Sequence, residues 1–130
     1  MKRIILLIIF LFLFMQAVCA KEKAADPYLW DFGKIKEGEV VKHVFLLKNE
    51  SEKAFNIKGL HASCGCTTGK LEKESLLPQE EAPIEVEFNS KGYSGEITQF
   101  IYVNTDREDE PAIKFTVKAE VIKEIKPGGK

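Results

Sequence analysis

Residues 61 to 69 read "HASCGCTTG", which places His61, Cys64 and Cys66 within six positions of one another. Two cysteines at such spacing can form a disulfide or exchange thiols, and with the histidine they can hold a soft metal ion. On an extended strand two residues apart, the Cα atoms of Cys64 and Cys66 would lie about 6.6 Å from each other, near the upper limit for a disulfide. A turn at Gly65 would shorten the distance, and glycine tolerates the positive φ that such a turn can need. A ring of three residues stabilises by only about 1.6 kcal/mol through loop entropy, so stapling alone is a weak reason for the spacing.

As thiolates, Cys64 and Cys66 together with His61 form a soft donor set suited to copper(I). Structural zinc needs a fourth ligand, and the one other imidazole, His43, shares a strand face with Phe45 and reads as a core or edge residue. Both methionines lie at the N-terminus, so the rest of the chain has no thioether to offer copper. Redox chemistry requires an exposed pair with a lowered thiol pKa, usually at a helix N-terminus, and no helical pattern follows Cys66. Lys58 and Lys70 are the nearby charges that could lower that pKa. The plainest reading makes "SCGC" a compact loop at a strand end, its cysteines packed as small apolar groups or bridged to each other.

Other candidates are weaker. Ser63 near His61 is a chance pairing rather than a catalytic set, and the carboxylates of "EE" (80–81) and "DRED" (106–109) sit in polar breaks. Asp106, Glu108, Asp109 and Glu110 lack the glycine-punctuated spacing of an EF-hand. Tyr28, Trp30 and Phe32 read as a sheet-packing edge. No catalytic residues and no cofactor are assigned, copper(I) being the alternative.

The elements that must position the cysteines alternate apolar and polar residues with period two. Strands are expected over 27–33, 40–49, 54–61, 83–89, 96–104 and 112–122, with a short seventh within 67–74. Expected inward faces are Val41, His43, Phe45 and Leu47, then Ile84, Val86 and Phe88, then Ile97, Gln99, Ile101 and Val103. The last strand offers Ile113, Phe115, Val117, Ala119 and Val121. Gly59 reads as a bulge that resets the phase to Leu60. Polar breaks rich in Gly and Pro separate these runs, as in an antiparallel β-sandwich.

The N-terminus carries a different signal. "MKR" followed by "IILLIIFLFLFM" and "VCA" has the layout of a secretory signal peptide over residues 1–20, with cleavage between Ala20 and Lys21. Cys19 offers lipidation as an alternative, which would anchor the chain to a membrane. Segments 21–26 and 123–130 are expected to be flexible and 27–122 to form one domain. The chain has 19 basic and 20 acidic side chains; losing Lys2 and Arg3 with the signal leaves 17 against 20, a charge of −3. No basic run is interleaved with aromatics, which argues against nucleic acid as a partner.

"WDFGKIKEGEVVKHVFLLKNES", "FNIKGLHASCGCT" and "GYSGEITQFIYVNTD" together resemble the domain-of-unknown-function 1573 family. The most specific element is "SCGCT" at 63–67, supported by Asp31-Phe32-Gly33, Asn49, Gly95 and Asn104-Thr105-Asp106; "NESEK" departs from the family's usual glycine-bearing turn. The resemblance implies an exported bacterial protein with an immunoglobulin-like sandwich, similar in shape to Hydin-type and major-sperm-protein-type domains. The expected function is a non-enzymatic module for protein binding or envelope structure, in the periplasm or outside the cell. Its partner would be another envelope or extracellular protein. The alternative is a copper(I)-binding or thiol-redox protein.

Overall fold

The computed structural model describes residues 25–125 and Gly128. The expected signal peptide, its cleavage site at Ala20 and Lys21, and Cys19 lie outside the described residues. So do most of the segment 21–26 and part of the tail 123–130.

Eight strands follow one another, and the described residues contain no helix. They are β1 (Leu29–Lys36), β2 (Val40–Lys48), β3 (Phe55–Ala62), β4 (Thr67–Leu71), β5 (Ser75–Leu76), β6 (Glu81–Asn89), β7 (Gly95–Thr105) and β8 (Ala112–Ile122). Five form a sheet in the order β1-β8-β7-β3-β5, and three form a second in the order β2-β6-β4. This is the all-β sandwich read from the alternation. The additional strand is β5, two residues long, too short for any period to be read from the sequence.

One pairing departs from the antiparallel expectation: β1 runs parallel to β8. The tight turn after β1 carries the chain across to the other sheet, so no hairpin fixes β1 against its neighbour. The two strands come from opposite ends of the domain and are free to align in either direction.

The core follows the alternation. Phe45 and Leu47 of β2, Ile84, Val86 and Phe88 of β6, Ile101 and Val103 of β7, and all five inward residues of β8 are buried. The sheets meet ring against ring: Phe45 and Phe115 lie 5.0 Å apart, and Tyr28 packs edge-on against Phe115 at 5.1 Å. Gly59 marks a register break between β3 and β7, the bulge that returns Leu60 to the inner side.

One side of the sandwich, between β1 and β2, is closed by Trp30 stacked on His43 at 3.9 Å with ring planes 8° apart. His43 is half-buried there, and loss of hydration holds its pKa below the ordinary imidazole value. Among the described residues every buried side-chain polar atom has a hydrogen-bond partner. Asn49, fully buried, donates from Nδ2 to the carbonyls of Lys53 and Leu76 at 2.9 and 3.0 Å, and its Oδ1 accepts from Ser51. Ser90 donates to the Lys36 and Glu39 carbonyls at 2.8 Å, tying the β1–β2 turn to the end of β6.

Phe115→Asp or Val86→Asp places an unpaired charge between the sheets and is expected to abolish the cooperative melting transition, as read by circular dichroism. His43 gives a pH signature. Its lowered folded pKa means the unfolded chain binds the extra proton first, so stability present above about pH 6.5 falls as pH drops toward the lowered value. Melts between pH 7 and 5 should show that loss, and His43→Phe should flatten it.

Candidate functional site

β3 belongs to the five-stranded sheet and β4 to the three-stranded one, so Ser63–Cys66 is the corner where the chain crosses between sheets. At that corner Cys64 and Cys66 are joined by a disulfide, their Cα atoms 5.3 Å apart. The chain turns enough to bring them within bridging distance, but Gly65 does not have positive φ. The positive φ expected as a use for this glycine is therefore corrected; the turn is made in backbone geometry open to other residues. A side chain at 65 would meet open space.

Each end of the corner is fastened. The Ser63 N–H donates to the Phe100 carbonyl at 2.8 Å, and its hydroxyl donates to Gln99 Oε1 at 2.7 Å while accepting from the Phe100 N–H. On the other sheet, the Asn89 N–H donates to the Cys66 carbonyl at 2.9 Å. Cys66 packs against the cluster of Ile35, Phe88, Ala119 and Val121. Thr67, buried beneath the bridge, has its hydroxyl 3.7 Å from both sulfurs.

His61, the third member of the expected metal set, is not brought to the sulfurs by any contact. It is exposed on the outer face of β3, stacked on Tyr102 at 5.1 Å, with Nδ1 3.2 Å from the Asn104 amide. Among the described residues no group of three or more His, Cys, Asp or Glu side chains could hold a metal ion. Bridged sulfurs carry no thiolate charge, so copper chemistry would require the pair to be reduced first. The acidic loop is occupied internally: Asp106 accepts from the Asn56 backbone and amide at 2.7 Å, which holds its carboxyl below the usual range, and Asp109 and Glu110 pair with Arg107. His43 belongs to the Trp30 stack.

Sequence reasoning missed what the corner encloses. β3 and β4 diverge from it and bound an open cleft of about 630 Å³, lined by Ile57, Leu60, Leu71, Lys58, Lys70 and Lys73 among others. At its wall Leu60 fills the space that Gly69 leaves, and a Cβ at 69 would clash with Leu60 Cδ2. Both walls are sheet edges. Because Ser63 bonds Phe100, ladder alternation turns the N–H and C=O of Ala62 and Leu60 away from β7. Because Cys66 bonds Asn89, the same alternation turns those of Gly69 and Leu71 away from β6. β5 covers β3 at Phe55 and Asn56, and the Glu74 carbonyl accepts from the Ile57 N–H at 2.8 Å, so the edge of β3 is open only beyond the Gly59 bulge.

Strand order and layer packing define an all-β sandwich of the immunoglobulin-like kind. Solved structures share the shape. A protein of unknown function from Porphyromonas gingivalis W83 is 16% identical, with TM-score 0.62 over 72% of this chain and 44% of that one. The PapD-like domain 7 of human CEP192 is 15% identical, with TM-score 0.54 over 74% of this chain and 82% of that one. The secreted serine protease VesC from Vibrio cholerae is 10% identical, with TM-score 0.57 over 70% of this chain and 21% of that one. The chain thus spans less than half of the Porphyromonas protein it matches, and at these identities the likeness is one of fold alone. A search of the curated proteins finds no match. The chain belongs to the family described as protein of unknown function DUF1573, whose model matches residues 25–121.

The double change Cys64→Ser, Cys66→Ser should lower unfolding free energy by about 1–3 kcal/mol and leave the fold intact, since the ring closed is small. Urea denaturation measures it. Gly65→Ala, with ordinary φ and open space, should be neutral in the same assay.

Proposed function

We propose that this chain is an exported, non-enzymatic binding module that receives an extended segment of another protein in the cleft between β3 and β4. The observation that carries the reading is the pair of facing sheet edges, each with outward N–H and C=O groups at Leu60, Ala62, Gly69 and Leu71. An extended peptide can pair with such an edge through main-chain bonds, while the half-buried Ile57, Leu60 and Leu71 receive its apolar side chains. The disulfide fixes the angle at which the two walls leave the corner, lowering the ordering cost of capture.

In this reading the partner is an envelope or extracellular protein, met in the periplasm or outside the cell after removal of residues 1–20. Membrane attachment would arise only through a lipid on Cys19, and neither nucleic acid nor a cofactor is required. Export agrees with a bridge between Cys64 and Cys66, since oxidising compartments preserve disulfides.

Amide hydrogen exchange of the natively produced chain tests the proposal, with protein fractionated from the cell envelope as the source of partner. Binding should slow exchange at Leu60, Ala62, Gly69 and Leu71 and leave the β7–β8 ladder unchanged. Ala62→Pro removes an N–H on the outward edge of β3, at the corner end beside the cleft, and none that β7 uses, so it should keep the fold and weaken capture at least tenfold. Capture indifferent to that change, or tight copper(I) uptake by the reduced chain that needs both cysteines, would overturn the reading.

A further inference from the structure

The sheet edges are not equally protected. β1 is interrupted between Asp31 and Lys34, where Gly33 has φ +68°, and β3 is interrupted at Gly59 and partly covered by β5. β4 is five residues long and opens onto the cleft. β2 has none of these features. Its nine residues pair with β6 in unbroken register from Val40–Asn89 to Lys48–Glu81, and it contains neither Gly nor Pro. Three outward side chains, Val40, Val44 and Leu46, are 46%, 52% and 56% exposed, and Trp30 lies at the same side of the sandwich. Lys42 and Lys48 are the charges that guard this edge, so it pairs with another strand only in a register that sets each lysine opposite an apolar residue.

The hydrogen-bond pattern fixes which backbone groups are available. The Ser90 N–H donates to the Glu39 carbonyl at 3.0 Å and the Asn49 N–H to the Glu80 carbonyl at 2.9 Å. Odd-numbered positions therefore exchange bonds with β6, and Val40, Lys42, Val44, Leu46 and Lys48 point their N–H and C=O groups off the sheet.

We infer that β2 pairs antiparallel with β2 of a second copy, about a two-fold axis at Val44. This register sets Val44 opposite its own copy, Lys42 opposite Leu46, and Val40 opposite Lys48. All nine residues overlap, every outward backbone group finds a ladder partner, and no lysine faces a lysine. Moving the axis to Phe45 would oppose Lys42 and Lys48, a destabilising pair of like charges. Moving it to His43 would leave Lys48 overhanging without a partner. A two-fold contact needs one surface that complements itself, and the alternation of lysine with apolar residues along β2 supplies it. The inference goes beyond the binding proposed for the cleft, which uses a different edge.

Sedimentation velocity of the natively produced chain from low to high micromolar concentration tests it. The wild type should show a concentration-dependent dimer. Val44→Lys places two lysines in opposition at the axis, and should weaken dimerisation at least tenfold; Val44→Glu should do the same. Val44 faces outward, so both variants should melt like the wild type. An equal mixture of the two should recover a dimer at wild-type concentrations, because Lys then opposes Glu. Ala62→Pro, on the other edge, should leave the dimer unchanged, which separates failure of this contact from failure of the cleft. A wild type that stays monomeric throughout, or a Val44→Lys variant that dimerises like it, overturns the inference. A mixture that remains monomeric overturns the register centred on Val44.

Discussion

The contact between Phe45 and Phe115 is the one on which the rest of this molecule depends. A five-stranded and a three-stranded sheet can bury their inner faces only against each other, and these two rings stand where the faces meet, with Tyr28 closing over Phe115. Strand phase follows from that contact. Once Phe115 points inward, period-two alternation commits Ile113, Val117, Ala119 and Val121 to the core, and Phe45 commits Leu47 in the same way. A slip of one residue in either strand would bring lysines into the interior.

Sheets of unequal width leave edges that cannot all be covered, and the chain treats its two sides differently. Between β1 and β2 the gap is closed by the Trp30–His43 stack. On the opposite side β3 and β4 leave the Ser63–Cys66 corner and remain apart, with Leu60 filling the space that Gly69 leaves empty. The length of that opening is set from a distance. Asn49, buried at the end of β2, holds the Leu76 carbonyl and so fixes β5, which covers the first residues of β3 and no more. A single carboxamide thus links the end of one sheet to the extent of the cleft in the other.

Much of this was legible in the sequence, and the reason is local. β6 and β8 alternate so regularly that their buried faces follow from residue type alone, and Gly59 announced its bulge by breaking a period. What escaped depends on parts of the chain that are distant in sequence. The parallel alignment of β1 with β8 joins opposite ends of the domain, and β5 exists only because Phe55 and Asn56 are there to pair with it. At the corner the two cysteines drew notice through their type and spacing. The use of Gly69 did not, because nothing near it in sequence shows that Leu60 comes to rest against it. The role imagined for Gly65 erred in the opposite direction, assigning to backbone freedom a turn that ordinary geometry makes.

The close fit of Leu60 over Gly69 has a consequence for descent as well as for shape. The two positions share one small volume across two different sheets, so neither can change size freely while the other stays fixed. In relatives that keep the corner, a side chain gained at the position of Gly69 should come with one lost at the position of Leu60. Paired histories of this kind would trace the cleft through the family even where the cysteines themselves had been replaced.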